Sequence, residues 1–577
     1  MLFRNWHLIP KGVAPLFALC VAAVAAPQDR ITGPVDVRQT EPIRGSVHRM
    51  AQAQFDRGAV EPEFPMNHMV LFVKPSAAQQ TELNRLLADQ QNPSSTQFRR
   101  WLSPEEFGNR FGLTAGDHSR VVAWLHGAGF TVEESARARN WIMFSGSAGQ
   151  VQQALHTAIH RYEVNGEKHF ANSSDAQAPA ALAGLVGGFE GLHDFQPKPL
   201  PTTVRPGYNS GSTHYLAPAD YATIYDIGPL HSAGIDGTGV NIGIIGFTTL
   251  ILSDIQMFRS KYGLPASVPK TVLAGANPGL ITGADLEEAD LDIEWSGAVA
   301  PGATIYYYYS TNPVTAISAA VNANLVNIIS MSFGAAELDD AALAYQPIFQ
   351  QANAQGISLF AATGDYGAAD YPDSPSFSRF GPAVSWPATY PEVTAVGGTQ
   401  FNEGTGTYWA ATNSTTDFSS ALSYIPEIAW SGGGGGASAI FSKPGWQAGP
   451  GVPQDQARDI PDLSMDASCH DGFVIVYEGS ALNGICGTSA SSPAMAGVAA
   501  LLNHSLVSSG QLTQPGLGNL NPQLYRLAQA APTGFHDITS GGNTVTCTQG
   551  SPGCASGTFG YQAGPGYLWP RESVRLT

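Results

Sequence analysis

The apolar positions fall into two patterns. From about residue 42 to 195, short strand-like and helix-like segments alternate. "HMVLFVKP" (68–75) predicts a strand, and "SAAQQTELNRLLADQQ" (76–91) an amphipathic helix opening at Ser76. "SPEEFGNRFG" (103–112) begins with a capping pattern, Ser103 followed by Glu106. "VVAWLHGAGF" (121–130) is a helix stopped by glycine, and "NWIMFSGSAGQVQQAL" (140–155) runs from strand into helix. After Tyr215 the runs become continuously apolar: "VNIGIIGF", "ATIYYYY", "VNIISMSF", "ISLFAATG", "VTAVGGT" and "FVIVYEG", separated by helical stretches. Continuous apolar strands alternating with helices predict an α/β fold with a mostly parallel sheet covered on both faces. Sites in such sheets sit at the carboxyl ends of strands. "SMSFG", "ATGDYG" and "GICGTSASSP" all lie where a strand or turn gives way to a loop.

Between the two patterns, "QPKPLPTTVRPGYNSGSTHY" (196–215) has almost no apolar periodicity and reads as an exposed linker, open to proteolytic nicking. At the N-terminus, Arg4 and Lys11 precede an apolar run (13–25) ending Ala23-Val24-Ala25. That is a signal-peptide pattern, cleaved before Ala26, and too short for a good membrane span. The expected division is signal peptide 1–25, a smaller α/β (α+β) unit 26–195, linker 196–215 and a larger domain 216–577. The expected location is extracellular, with no membrane attachment once the signal is removed.

Composition narrows this picture. A chain of 577 residues with 43% hydrophobic residues can build more than one real core. Charged residues are only 13%, and the net charge is −18. No basic stripe is present to neutralise phosphates, so nucleic acid is excluded as a partner. Few charges also mean few ion pairs to lose in acid, which fits an acid-tolerant protein. Of five cysteines, Cys20 leaves with the signal. Local pairing, Cys469–Cys486 and Cys547–Cys554, is expected from three connectivities that sequence allows. The spacing matches no zinc module.

Gly487-Thr488-Ser489 opens a small-residue helix and reads as a turn presenting a nucleophilic serine. Such a serine can also be a plain N-cap. Subtilisin-like enzymes pair a similar turn with an aspartate after the first strand and a histidine in a Gly-Thr-His setting. Here the first strand ends "GIIGFTTL", without aspartate, and no "HGTH" occurs. A different base stands in "ADLEEADLDIEW" (284–295). Glu288 and Asp292 are four apart, about 40° around a helix, and so share a face. That face can be a solvated acidic one. Two close carboxylates also push one pKa up, giving a base that works in acid, where a histidine would be protonated. Asp365, flanked by Gly364 and Gly367, can donate to an oxyanion if it stays protonated, or can merely cap an Asx-turn.

With these residues assembled, the chain resembles the sedolisin family of serine-carboxyl peptidases in their secreted proenzyme form. The resemblance rests on Glu288-x-x-x-Asp292, "SMSFG", "ATGDYG" with Asp365, "SGGG" at 431–434 and Gly487-Thr488-Ser489-x-x-x-Pro493. Residues 42–195 resemble the family's prodomain. The resemblance implies a subtilisin-like catalytic domain, self-cleavage of the prodomain, and acid endopeptidase or tripeptidyl-peptidase activity on proteins or peptides by a monomer. It makes Ser489 the nucleophile, Glu288 the general base, Asp292 its partner and Asp365 the oxyanion donor. The prodomain would act as intramolecular inhibitor and chaperone, and "SGGGGGASAIF" as a flexible wall beside the substrate. The endopeptidase is the leading reading. The alternatives are the tripeptidyl-peptidase and a non-catalytic peptide-binding relative.

The resemblance also implies one Ca2+ site, with ligands from Asp537, Ile538, Gly564 and Gly566. At the last ligand position this chain has Leu568, without a side-chain oxygen, and ends "LWPRESVRLT". One choice of codons for this tail, read two bases on, gives Val-Ala-Thr-Gly-Val-Gly, close to the turn the family would have there. The tail therefore reads either as a frameshift or as a variant with a weakened or lost calcium site.

Overall fold

The computed structural model describes residues 27–199, 214–338, 342–369, 381–530, 534–547, 549, 554 and 556–563. The expected signal peptide, most of the linker (200–213) and Gly564, Gly566 and Leu568 lie outside them.

The first unit comprises β1 (Pro65–Val73), α1 (Ala77–Gln90), α2 (Pro104–Phe111), α3 (Ala115–Gly127), β2 (Thr131–Ser135), β3 (Trp141–Ser147), α4 (Ala148–Leu155) and β4 (Val186–Glu190). Its four-stranded sheet has the order β2-β3-β1-β4 and is antiparallel throughout. The helices begin where their capping residues dictate. Ser76, Ser103 and Ser147 each accept from the backbone three residues on, while the side chain there returns to the cap. One apolar face of this sheet closes its own core around Leu71, Ile142 and Phe144. The other face puts Val70, Phe72, Trp141 and Met143 into a core shared with the second unit.

The second unit contains β5 (Asn241–Gly246), α5 (Leu252–Lys261), β6 (Lys270–Leu273), α6 (Ala284–Val299), β7 (Thr304–Tyr309), α7 (Pro313–Ala323), β8 (Ile328–Met331), β9 (Phe333–Ala336), α8 (Ala342–Ala354), β10 (Ser358–Ala362), β11 (Thr394–Phe401), β12 (Glu427–Ala429), β13 (Leu463–Asp466), β14 (Phe473–Tyr477), β15 (Ser480–Ile485) and α9 (Thr488–Ser508). Its main sheet runs β6-β7-β5-β8-β10-β11-β12, with β13 also on β11. Every pairing in it is parallel except β11 with β12. This is the α/β architecture expected, with one difference. "FVIVYEG" is not a strand of the main sheet: β14 folds back on β15 as an antiparallel hairpin. An apolar run shows burial but not which partner buries it. The hairpin lies between Cys469 and Cys486, which are joined, as are Cys547 and Cys554. No helix among the described residues is long and apolar enough to cross a membrane.

The chain passes between the units in an informative way. Lys198–Pro199 pairs antiparallel with Phe333–Gly334 of β9, the strand that leaves the carboxyl end of β8.

Candidate active site

α6 and α9 pack lengthwise, and Gly497 permits the close approach. A Cβ on Gly497 would stand 2.7 Å from the Val299 Cβ and 3.0 Å from the Ser296 carbonyl. Further along, Ser492 Oγ lies 3.0 Å from Ser330 Oγ on β8. These contacts bring the opening turn of α9 to the side of α6 that carries Glu288 and Asp292.

Ser489 is not the cap of α9. Gly487 holds that place with φ 136°, a conformation other residues avoid, and any side chain there would stand 2.4 Å from Asp365 Oδ2. Ser489 follows in the first turn and is fully buried. Its hydroxyl and both Glu288 oxygens lack a hydrogen bond of ordinary geometry, yet the hydroxyl is near enough to draw the Glu288 pKa down. Such loose geometry is common before a substrate binds.

The reading of Glu288 and Asp292 as a solvated face is excluded, since they are 5% and 1% exposed. Burial raises the Glu288 pKa well above the usual range, and the charges of Asp292 and Asp365 push it further. Burial likewise raises Asp292, opposed by the Ser332 hydroxyl, which donates to Oδ1 at 2.6 Å. Ser332 Oγ also lies 3.3 Å from the Ser489 carbonyl, tying the acid pair to the serine turn.

Asp365 follows β10. Its Oδ1 accepts from Thr488 N at 2.7 Å and Thr488 Oγ1 at 2.9 Å. Its Oδ2 is buried and unpartnered. Burial pushes its pKa up to about 7 against the lowering effect of both Thr488 bonds. In acid Asp365 is therefore neutral, with a proton on the carboxyl beside the serine turn.

Ser332 and Thr488 were not singled out in sequence. Signals existed: Ser332 is the central residue of "SMSFG", immediately past a strand's carboxyl end, and Thr488 adjoins the serine. The glycine run at 431–436 also departs from expectation. Gly434 N donates to Gly364 O at 2.7 Å, Gly367 N donates to Gly432 O at 2.8 Å, and Gly433 to Gly436 are buried. A Cβ on Gly434 would fall 1.8 Å from the Thr363 carbonyl. The run braces the Asp365 loop by close backbone approach.

The calcium expectation meets only part of its ligand set. Asp537 is exposed, and Ile538 is buried against Ala429. Together they can offer a carboxylate and a carbonyl; the other two expected ligands, Gly564 and Gly566, lie outside the described residues.

Two family models match the chain: "Pro-kumamolisin, activation domain" over residues 55–195 and "Subtilase family" over 271–514. Among similar proteins are sedolisin of Pseudomonas sp. (strain 101), 30% identical over 542 residues covering 87% of this chain and 84% of that protein, and kumamolisin of Bacillus sp. (strain MN-32), 28% identical over 564 residues (91% and 93%). Tripeptidyl-peptidase 1 of Rattus norvegicus is 26% identical over 548 residues (88% and 90%). A solved structure of Pseudomonas sedolisin, a serine-carboxyl proteinase complexed with pseudo-iodotyrostatin, aligns with TM-score 0.50 and 27% identity over 63% of this chain and 96% of that one.

Proposed function

The chain belongs to the sedolisin family and is a serine-type peptidase made as a zymogen with an activation domain; from that premise we propose that it is a secreted, acid-active endopeptidase working through Ser489, Glu288, Asp292 and Asp365. The observation that carries this reading is a buried Glu288 beside Ser489, with Asp292 and Asp365 acting on the same carboxylate.

In the proposed reaction, Ser489 Oγ attacks the scissile carbonyl carbon while Glu288 takes the hydroxyl proton. Asp292, held by Ser332, orients Glu288 and shares its proton. The carbonyl oxygen becomes an oxyanion and accepts a hydrogen bond from protonated Asp365. Glu288 returns its proton to the departing amine, the C–N bond breaks, and an ester to Ser489 remains. Water then attacks the ester with Glu288 again as base, releasing the acid and restoring Ser489.

The route of the chain out of the activation domain supports self-processing. Lys198–Pro199 lies as a strand on β9, where an extended peptide would add to the sheet edge beside α6. Cleavage is expected within the linker, residues 196–215. The calcium site is read as weak or absent, so calcium added after chelation should leave the thermal midpoint unchanged.

The direct test is the pH dependence of peptide cleavage, with Ser489→Ala as control. The expected profile is bell-shaped and centred in acid, and Ser489→Ala should lose peptide cleavage and self-processing together. An optimum at neutral or alkaline pH, unmoved by Glu288→Gln, would remove the carboxylate mechanism. Cleavage inside blocked peptides distinguishes an endopeptidase from a tripeptidyl-peptidase, which needs a free N-terminus.

A further inference from the structure

Away from the serine turn, a second polar cluster gathers three distant parts of the chain. His214 stands at the end of the linker, two residues before the peptidase domain begins, Glu403 follows β11, and Asp471 lies inside the disulfide loop that leads to β14. One ligand-capable atom from each lies within 4.8 Å of the others. We propose that His214, Glu403 and Asp471 bind a divalent transition-metal ion of the zinc type, which fastens the start of the peptidase domain to the segment carrying the nucleophile.

The donor set is the first argument. One imidazole and two carboxylates suit zinc-like ions, and three protein ligands leave a position for water. Spacing is the second. His214 Nδ1 lies 3.6 Å from Asp471 Oδ1, too long for a hydrogen bond. Two ligands about 2.1 Å from one tetrahedral ion stand roughly 3.4 Å apart. The third argument is an unmet need: His214 Nδ1 is sealed from solvent without a hydrogen-bond partner, and a buried ring nitrogen in that state costs free energy.

The surroundings hold the ligands as the outer groups of a metal site do. His470 Nδ1 lies 2.5 Å from Asp471 Oδ2, leaving Oδ1 facing His214. Trp409 stacks on the His214 ring with centroids 4.2 Å apart, and its indole N–H donates to Glu403 Oε1 at 3.4 Å. The His214 backbone N–H donates to Asp471 Oδ1 at 3.2 Å, and Leu216 N–H to Gly472 O at 2.9 Å. Once the linker is cut, this short segment becomes a chain end, which frays unless tied down. A metal at His214 supplies the tie.

The test uses the full-length chain carrying Ser489→Ala, chelated and then dialysed against Zn2+ at neutral pH. One zinc per chain should remain bound, Co2+ in its place should give visible absorption, and zinc should slow hydrogen exchange at the Leu216 amide. His214→Ala and Glu403→Gln, each checked by circular dichroism for a native fold, should weaken zinc binding by about tenfold or more and abolish the protection at Leu216. No stoichiometric zinc in the parent chain would overturn the proposal. So would zinc bound equally well by both variants, or binding that leaves Leu216 exchange unchanged.

Discussion

At the scale of single residues, the proposed mechanism requires two carboxyl groups to hold opposite states at one pH. In it Glu288 is ionised to accept the Ser489 proton, while Asp365 keeps its own. Burial favours the neutral form of both, and the Asp292 charge makes Glu288 and Asp292 hold one proton between them more readily than none. Asp365, pushed up to about 7, sets the alkaline edge: above that pH it becomes an anion facing an oxyanion. Asp365→Asn keeps a neutral donor. Its rate should fall by roughly 10²–10³, the usual effect of a damaged oxyanion site, but its alkaline limb should move to higher pH. Initial rates from pH 3 to 9 on both proteins decide this. A variant limb coinciding with the parent's would assign the ionisation to another group.

At the scale of elements, α6 is the unusual piece. Glu288, Asp290, Asp292 and Glu294 are all buried on it. Asp290 is pushed up to about 9, first by burial and then by Asp254 and Glu287, and neither of its oxygens has a partner. Its folded pKa therefore exceeds its unfolded value near 4. The native state binds the extra proton between those limits, so stability is fully present below about 4 and is lost as pH rises toward 9. Asp290→Asn should flatten this slope and raise the thermal midpoint at pH 8 by ~2–4 °C for each 1 kcal/mol recovered. Scanning calorimetry of both proteins at pH 4 and pH 8 measures it, and equal slopes would exclude Asp290 as the cause. The sequence disclosed such elements unevenly. Caps at Ser76 and Ser103 and the apolar strands β5, β7, β8, β10 and β11 follow from local rules. The i, i+4 spacing of Glu288 and Asp292 placed both on one face of α6. Whether that face met water depended on α9, a tertiary fact with no local signature. The same holds for "FVIVYEG", whose partner was set by the disulfide loop, and for Ser332, which matters only because β8 ends beside α6.

At the scale of the whole molecule, the activation domain and the peptidase domain respond to acid in opposite directions. The activation domain docks through Phe72 and Trp141 in the shared core, and through Glu190, which accepts from Asn312 and Tyr345 of the peptidase domain. Beside that contact His48 stacks on Phe195, with His193 and His169 close by. Burial pushes His48 down to about 2, helped by the charges of His193, His169 and Arg49. Burial lowers His193 too, against the pull of Glu190 and Asp194. His48 is therefore neutral in the docked chain through the acid range, His193 shifts the same way, and an unfolded imidazole titrates near 6.5. A depressed folded pKa contributes stability that is present above about 6.5 and is lost as pH falls below it. Each such histidine should increase release or unfolding of the activation domain about tenfold per pH unit below 6.5. Over the same range, acid favours the protonated carboxyls of α6. Acidification would thus loosen the activation domain while stabilising the peptidase domain. With Ser489→Ala blocking cleavage, protease sensitivity of residues 55–195 should rise steeply from pH 6.5 to pH 4. His48→Gln, neutral at every pH, should remove one proton's worth of that slope. If the double variant opens with the same steepness as Ser489→Ala alone, His48 does not sense the acid, and release must be traced to His193 or to the carboxylates at the docking surface, Glu190 first among them.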